Sequence, residues 1–273
     1  MNTSLSKTID TPGIGPFLKD WRQRRRVSQL DLALEADISQ RHLSFLESGR
    51  AKPSRDMVLK LADALGLPLR QRNQMLLAAG FAPAFGERRL DDASLAPAMR
   101  VVEQVLKGHE PSPAIAVDRH WNMVAANAAI QPFLQGIEDA SLLEPTVNVL
   151  RLSLHPRGLA PRIVNLAAWR AHLLHRLKRQ VEASNDPVLE RLLAELAAYR
   201  GQPGVAERSI PEAQPIAVPL QLRSEGEILS FISTITVFGT PLDVSLSELA
   251  IESFFPADEA TAAFLREQVR SAG

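Results

Sequence analysis

The stretch Ser28–Arg50 reads SQLDLALEADISQRHLSFLESGR, and it decides how the front of the chain folds. Ser28 is a good helix N-cap, and Asp31 at the third helical position gives a capping-box-like start to a helix running through Ala36. Asp37 falls where the chain must turn, and Asp tolerates a left-handed backbone better than most residues with a side chain. Ser39 caps the next helix, whose inward face is Leu43 and Leu46, and Gly49 stops it. The small Ala33 lets the two helices cross closely. This stretch therefore predicts two short helices held side by side by a tight turn.

Working outward, Ile14–Arg25 is amphipathic, with Phe17, Leu18 and Trp21 on one face. Pro53-Ser54 starts a fourth helix, with Val58, Leu61, Ala62 and Leu65 at helical spacing, ended by Gly66. Pro68 opens a fifth that runs to Ala79 before Gly80. Residues 13–82 are thus expected to form an all-α five-helix domain, preceded by a disordered tail over residues 1–12. Residues 83–99 mix Pro, Gly and charge without periodicity and read as a linker.

The pattern then changes. Ala114–Asp118 and Asn122–Ala126 are short apolar segments around a polar turn, Arg119-His120, which predicts a β-hairpin with His120 at the surface. A short helix over Ala128–Leu134 follows, then longer ones over Val164–Ser184 and Pro187–Tyr199, with Ser184-Asn185-Asp186 as turn and cap. Ile216–Arg223, Ile228–Val237 and Val244–Phe255 read as strands, joined by turns at Ser224–Glu227 and Phe238–Pro241. Residues 100–273 are expected to be an α+β domain with helices packed on an antiparallel sheet.

Composition narrows the function. The 273 residues contain no Cys, which excludes disulfides and cysteine-based sites and makes a reducing cytoplasm the expected compartment. No apolar run reaches the length of about 18 residues that a membrane helix needs, and Met1–Asp10 lacks the apolar core of a signal peptide. The net charge of zero hides an asymmetry. Residues 1–90 hold 15 Lys and Arg against 9 Asp and Glu, a net of +6, leaving 16 against 22, a net of −6. Chance gives such a split too, but a basic front and an acidic back suit one domain that meets a polyanion and another that does not.

Ser28–Arg50, with LKLADALGLPL at residues 59–69, resembles the helix-turn-helix of Cro/C1 (XRE) repressors; Asp37 stands where that family usually has Gly. The resemblance implies a helix that enters the major groove of double-stranded DNA. It places Gln40, Arg41 and Ser44 against base edges, and Gln29, Arg50 and Lys52 against phosphates. It also implies a structural ion pair between Arg22 and Glu47. Arg25, in the run Arg24-Arg25-Arg26, is either a further phosphate contact or part of a solvated helix end. Phe45 either touches a thymine methyl or packs against helix or partner. One such domain reads few base pairs, so a homodimer on a pseudo-palindromic operator is expected.

The stretches Pro113–Asn127, Asn148–Pro156, the helix with Trp169 and Leu173, and the ending Ser230–Asp258 resemble the C-terminal domain of MmyB-like transcription regulators. That resemblance implies a PAS-like sensor, sheet and helices around an apolar pocket, although the ending departs from the family's more familiar pattern. Trp121, Val124, Phe133, Trp169, Phe231 and Ile235 are the pocket candidates, suited to a small hydrophobic, fatty-acyl-like effector, or else plain core. An enclosed volume of about 300 Å³ or more is what an effector would ask for; a filled core with an exposed apolar patch would suit a protein partner instead, as in an antitoxin-like or phage-derived protein.

Other chemistries find little support. His172 and His175 lie three apart on one helix face, with His155 the nearest further candidate, but no third ligand and no HExxH are indicated, so no metal is expected. Neither a GxSxG elbow nor a phosphate-loop fingerprint occurs, and neither an enzyme nor a cofactor is expected.

Overall fold

A computed structural model describes residues 13–199, 217–224 and 226–272. The chain divides at Glu87/Arg88 into two compact units, with Leu242–Val244 grouped with the first. The tail expected over residues 1–12 lies outside the described residues.

Among the described residues the first unit holds five helices: α1 (Ile14–Arg24), α2 (Gln29–Glu35), α3 (Gln40–Glu47), α4 (Arg55–Ala64) and α5 (Leu69–Ala78). Its start signals work as read. The hydroxyls of Ser28, Ser39 and Ser54 accept from the N–H groups of Asp31, His42 and Met57, each satisfying a helix donor that has no partner within its own helix. The turn between α2 and α3 is taken by Asp37 at φ 53°, so Asp does the work of Gly there. Arg26 also adopts a positive φ, 56°, and ends α1. Leu18, Leu32, Leu43, Leu46, Val58 and Leu61 are fully buried and make one core.

Residues 83–99 are more ordered than a linker. The buried Asn73 side chain accepts from the N–H groups of Ala84 and Phe85 and donates to the Phe85 carbonyl. Residues 93–95 form a 3-10 turn, and α6 (Ala96–Gly108) begins before the linker was expected to end. Pro97 in its first turn is a start signal.

In the second unit, β1 (Ala114–Val117) and β2 (Met123–Ala126) form the expected hairpin. A 3-10 turn leads into α7 (Gln131–Leu134), and α8 (Val149–Leu154) follows. The pair α9 (Leu166–Ser184) and α10 (Pro187–Ala198) turns on Asn185 at φ 53°, with the Asp186 side chain accepting from Val188 N–H. Strands β3 (Leu220–Ser224), β4 (Glu227–Val237) and β5 (Ala250–Pro256) form the expected antiparallel meander. The five strands run β2-β1-β5-β4-β3, every pair antiparallel.

Two expectations are corrected here. The strand expected from Ile216 (itself outside the described residues) starts at Leu220, directly after Pro219, which lacks the donor a ladder needs. Val244–Phe255 is not one strand: Val244–Ser247 is a short helix, α11, and turn hydrogen bonds continue it from Glu248 to Ser245 and from Leu249 to Leu246. Its V-S-L-S alternation suits one helical turn as well as a strand, and so short a run does not decide between them. The chain also adds a helix not foreseen, α12 (Glu259–Ala272), opened by Asp258, whose carboxylate accepts from Thr261 N–H.

The sheet is covered on both faces. Val102 and Leu106 of α6 pack with Ala114, Ala116 and Ile251. On the other side Ile115, Val117 and Phe231 join Leu173 and Leu177 of α9 and Leu189, Leu192 and Leu196 of α10. This second core carries the cavity described next.

Candidate DNA-reading helix and effector cavity

In the first unit, α3 turns Leu43 and Leu46 inward, which leaves Gln40 and Arg41 exposed and Ser44 half-exposed. Ser44 stands one turn on from both Gln40 (i, i+4) and Arg41 (i, i+3), the spacings that make neighbours on a helix surface, so these three side chains form one polar patch at the helix start. Phe45 is half-buried between two guanidiniums: those of Arg41 and Arg50 stand 5.4 and 5.7 Å from its ring centre.

Behind this patch, α3 is fixed to α1. Arg22 Nε and Nη2 donate to the two oxygens of Glu47 at 2.6 and 3.0 Å, and Nη1 donates to the Val27 carbonyl. The Gln29 amide nitrogen also donates to Glu47, to Oε2 at 2.8 Å. Arg25 lies over Trp21 at 5.7 Å, with a long hydrogen bond to the Gly66 carbonyl. Lys52, like Arg25 and Arg50, is exposed. Gly15 of α1 lets the helices meet, since a Cβ there would stand 2.6 Å from the Glu47 carbonyl oxygen.

Burial alone would raise the Glu47 pKa, but hydrogen bonds from Arg22 and Gln29 hold it below the ordinary carboxylate value. A depressed folded pKa contributes stability above the unfolded value of about 4.3, and that stability is lost as pH falls through the folded value. The helical unit should therefore lose stability progressively below about pH 4. Thermal melts by circular dichroism at stepped pH test this. Glu47→Gln should flatten that dependence; an unaltered profile would remove the ion pair as its source.

In the second unit a cavity of about 90 Å³ lies between the sheet and helices α7, α8 and α9. Phe133, Trp169 and Phe231 line it. The other three candidates fall elsewhere. Trp121 is buried in the same core without reaching the wall. Val124 packs on the opposite face with the α6 cluster. Ile235 is 46% exposed, because β4 runs on beyond the helices that cover its first half.

The volume falls well short of the 300 Å³ expected, so the cavity as it stands is too small for a drug-sized effector. Its wall is apolar apart from Ser153 and Glu252. Ser153 accepts from Trp169 Nε1 at 3.0 Å. Glu252, 4% exposed, accepts from Arg176 Nη1 at 3.1 Å, and that guanidinium lies 4.2 Å from the centre of the Trp121 ring. Trp121 itself has φ 67°, rare for so bulky a residue, and its Nε1 donates to Gln180 Oε1 at 2.7 Å. The sequence reading missed Glu252 and Arg176. The available signal was a charge inside the apolar strand run AIESFF.

The histidines are otherwise engaged. His172 stacks on Trp169, and burial together with the nearby Arg176 lowers its pKa. His155 meets the Tyr199 ring edge-on. His120, expected at the surface, is mostly covered and lies 2.9 Å from an Asp186 oxygen. Among the described residues no three His, Asp or Glu side chains come together in a way that could hold a metal ion, and no helix is long and apolar enough to cross a membrane.

Comparison with known proteins finds a match for each unit. Residues 18–71 match the helix-turn-helix family profile, and residues 98–267 match that of the MmyB-like transcription regulator ligand binding domain. Three similar relatives are described as uncharacterised HTH-type transcriptional regulators, one from Mycobacterium bovis and two from strains of Mycobacterium tuberculosis. Each is 27% identical over 214 residues, covering 73% of this chain and 79% of the relative. With an XRE-type helix-turn-helix in front and the matched ligand-binding domain behind it, the chain belongs to the MmyB-like transcription regulators.

Proposed function

We propose that this regulator binds a pseudo-palindromic operator as a homodimer and that a small hydrophobic effector, seated in the cavity of the second unit, controls its occupancy. The observation that carries the reading is the polar patch of Gln40, Arg41 and Ser44, exposed on a helix whose back is locked by Arg22 and Glu47. Arg41 suits a bidentate contact to guanine and Gln40 one to adenine, each worth about 1–3 kcal/mol of discrimination. Arg50, Lys52 and Arg25 hold phosphates and set the register. Gln29 acts from behind, by orienting Glu47.

The effector reading rests on the apolar wall of the cavity and on its family. At about 90 Å³ the cavity takes part of a small molecule, and binding widens it. That widening gives the effector a different affinity for two arrangements of the protein, which is what a switch requires. The exposed apolar residues Ile232 and Phe255, paired across β4 and β5, make a small patch that favours the second reading, a protein partner.

Native mass spectrometry of the chain purified from its host tests the proposal. A dimer mass carrying a small apolar adduct is expected. A bare monomer would contradict both the homodimer and the effector, and an added protein mass would favour the second reading.

A further inference from the structure

A buried carboxylate on the wall of an apolar cavity needs a reason. Glu252 sits mid-strand in β5, and strand alternation turns it to the same face as Phe254, which also lines the cavity. Its side chain is 6% exposed. Moving such a group out of water is costly unless it is paired and hydrogen-bonded. Arg176 supplies the charge partner through Oε1. Arg176 is not among the residues that line the cavity, and its guanidinium is held over the Trp121 ring. Whatever enters the cavity therefore meets the carboxylate and not the cation.

We propose that Glu252 makes this cavity selective for molecules with an apolar tail and a neutral hydrogen-bond-donating head, a hydroxyl foremost, which donates to Oε2 while Arg176 keeps Oε1. The inference rests on the reading of the cavity as the effector site. Three consequences follow from the chemistry. A hydroxyl completes the coordination of the carboxylate without disturbing the ion pair, in the stronger class of hydrogen bond that has one charged partner. An ether or ester head brings only acceptors to a carboxylate that accepts, and gains nothing there. A carboxylate head places like charges together in a site with little water to screen them. The cavity thus discriminates by its single charged wall residue, with the tail contributing affinity alone.

The test uses three small probes on the full chain, followed by ligand-detected NMR titration at neutral pH. 1-Hexanol and methyl pentyl ether are isomers that differ in having a donor; hexanoate offers a carboxylate on a tail of similar length. The wild type should bind the alcohol about tenfold tighter than the ether, the scale of one charge-assisted hydrogen bond, with hexanoate weaker still. Glu252→Gln places an amide donor on the wall, so the gap between alcohol and ether should shrink to about twofold or less and hexanoate binding should strengthen. Because that variant strands Arg176, Glu252→Gln/Arg176→Gln is measured beside it, keeping a hydrogen-bonded pair without charge; it should show the same narrowing. Equal binding of alcohol and ether by the wild type, tighter binding of hexanoate, or a gap that persists in both variants would overturn the role of Glu252 while leaving the effector site standing. If neither neutral probe binds the wild type, the effector reading itself falls.

Discussion

Replacing Gly15 with Ala should strongly destabilise the helical unit and weaken DNA binding while leaving the second unit intact. The added Cβ would stand 2.6 Å from the Glu47 carbonyl oxygen and 2.8 Å from that of Leu46. Both are backbone atoms of α3, so no side-chain rotation relieves the contact. Overpacking of this kind costs typically 1–3 kcal/mol and more where nothing yields, and here it falls at the upper end, about 3 kcal/mol. The position matters as much as the energy. Gly15 sits beneath the helix that carries Gln40, Arg41 and Ser44, so any relief displaces the patch those residues form. Calorimetry should find one transition lowered and one unchanged, and DNA affinity should fall far more than stability alone explains. Normal DNA binding by Gly15→Ala would mean that α1 and α3 pack otherwise.

In the second unit the largest effect is expected from Phe231→Ala. Phe231 is 1% exposed, lines the cavity, and meets Phe133 edge to face at 5.6 Å. Truncating a buried Phe costs about 3–5 kcal/mol, through lost transfer energy and the void left behind. The melting transition of this unit should drop steeply while that of the helical unit holds. The enlarged cavity should also bind apolar probes more tightly, because it starts closer to the widened form. A loss below about 1 kcal/mol would indicate that the neighbouring helices collapse into the space, and that the cavity wall is not rigid.

Much of this was legible in the chain because local signals and tertiary demands agreed. Ser28, Ser39 and Ser54 announce helix starts, and each caps one. Asp37 announces a turn and makes it at positive φ. Failures came where a residue's role depends on distant partners. Gln29 donates to Glu47, eighteen residues on, a partner its own neighbourhood in sequence does not announce. Ile235 has the right alternation for the cavity face, but only the placement of the covering helices says that β4 outruns them. Glu252 is visible in sequence as a charge among apolar neighbours; that Arg176 of α9 neutralises it is a fact of the fold. V-S-L-S at Val244–Ser247 was too short for its period to separate a strand from a helical turn.

The central claim is that α3 reads base sequence through Gln40, Arg41 and Ser44. Selection from a randomised double-stranded DNA library, run in parallel with wild type and Arg41→Ala, tests it most directly. The wild type should enrich a two-fold symmetric sequence with half-sites about one helical turn, roughly 34 Å, apart. Arg41→Ala should enrich the same sequence with the preference lost at one position in each half-site, and bind the wild-type site about 1–3 kcal/mol more weakly. An unaltered enriched sequence, with affinity lowered equally for all DNA, would make Arg41 a phosphate contact and contradict the assignment of α3 as the reading surface.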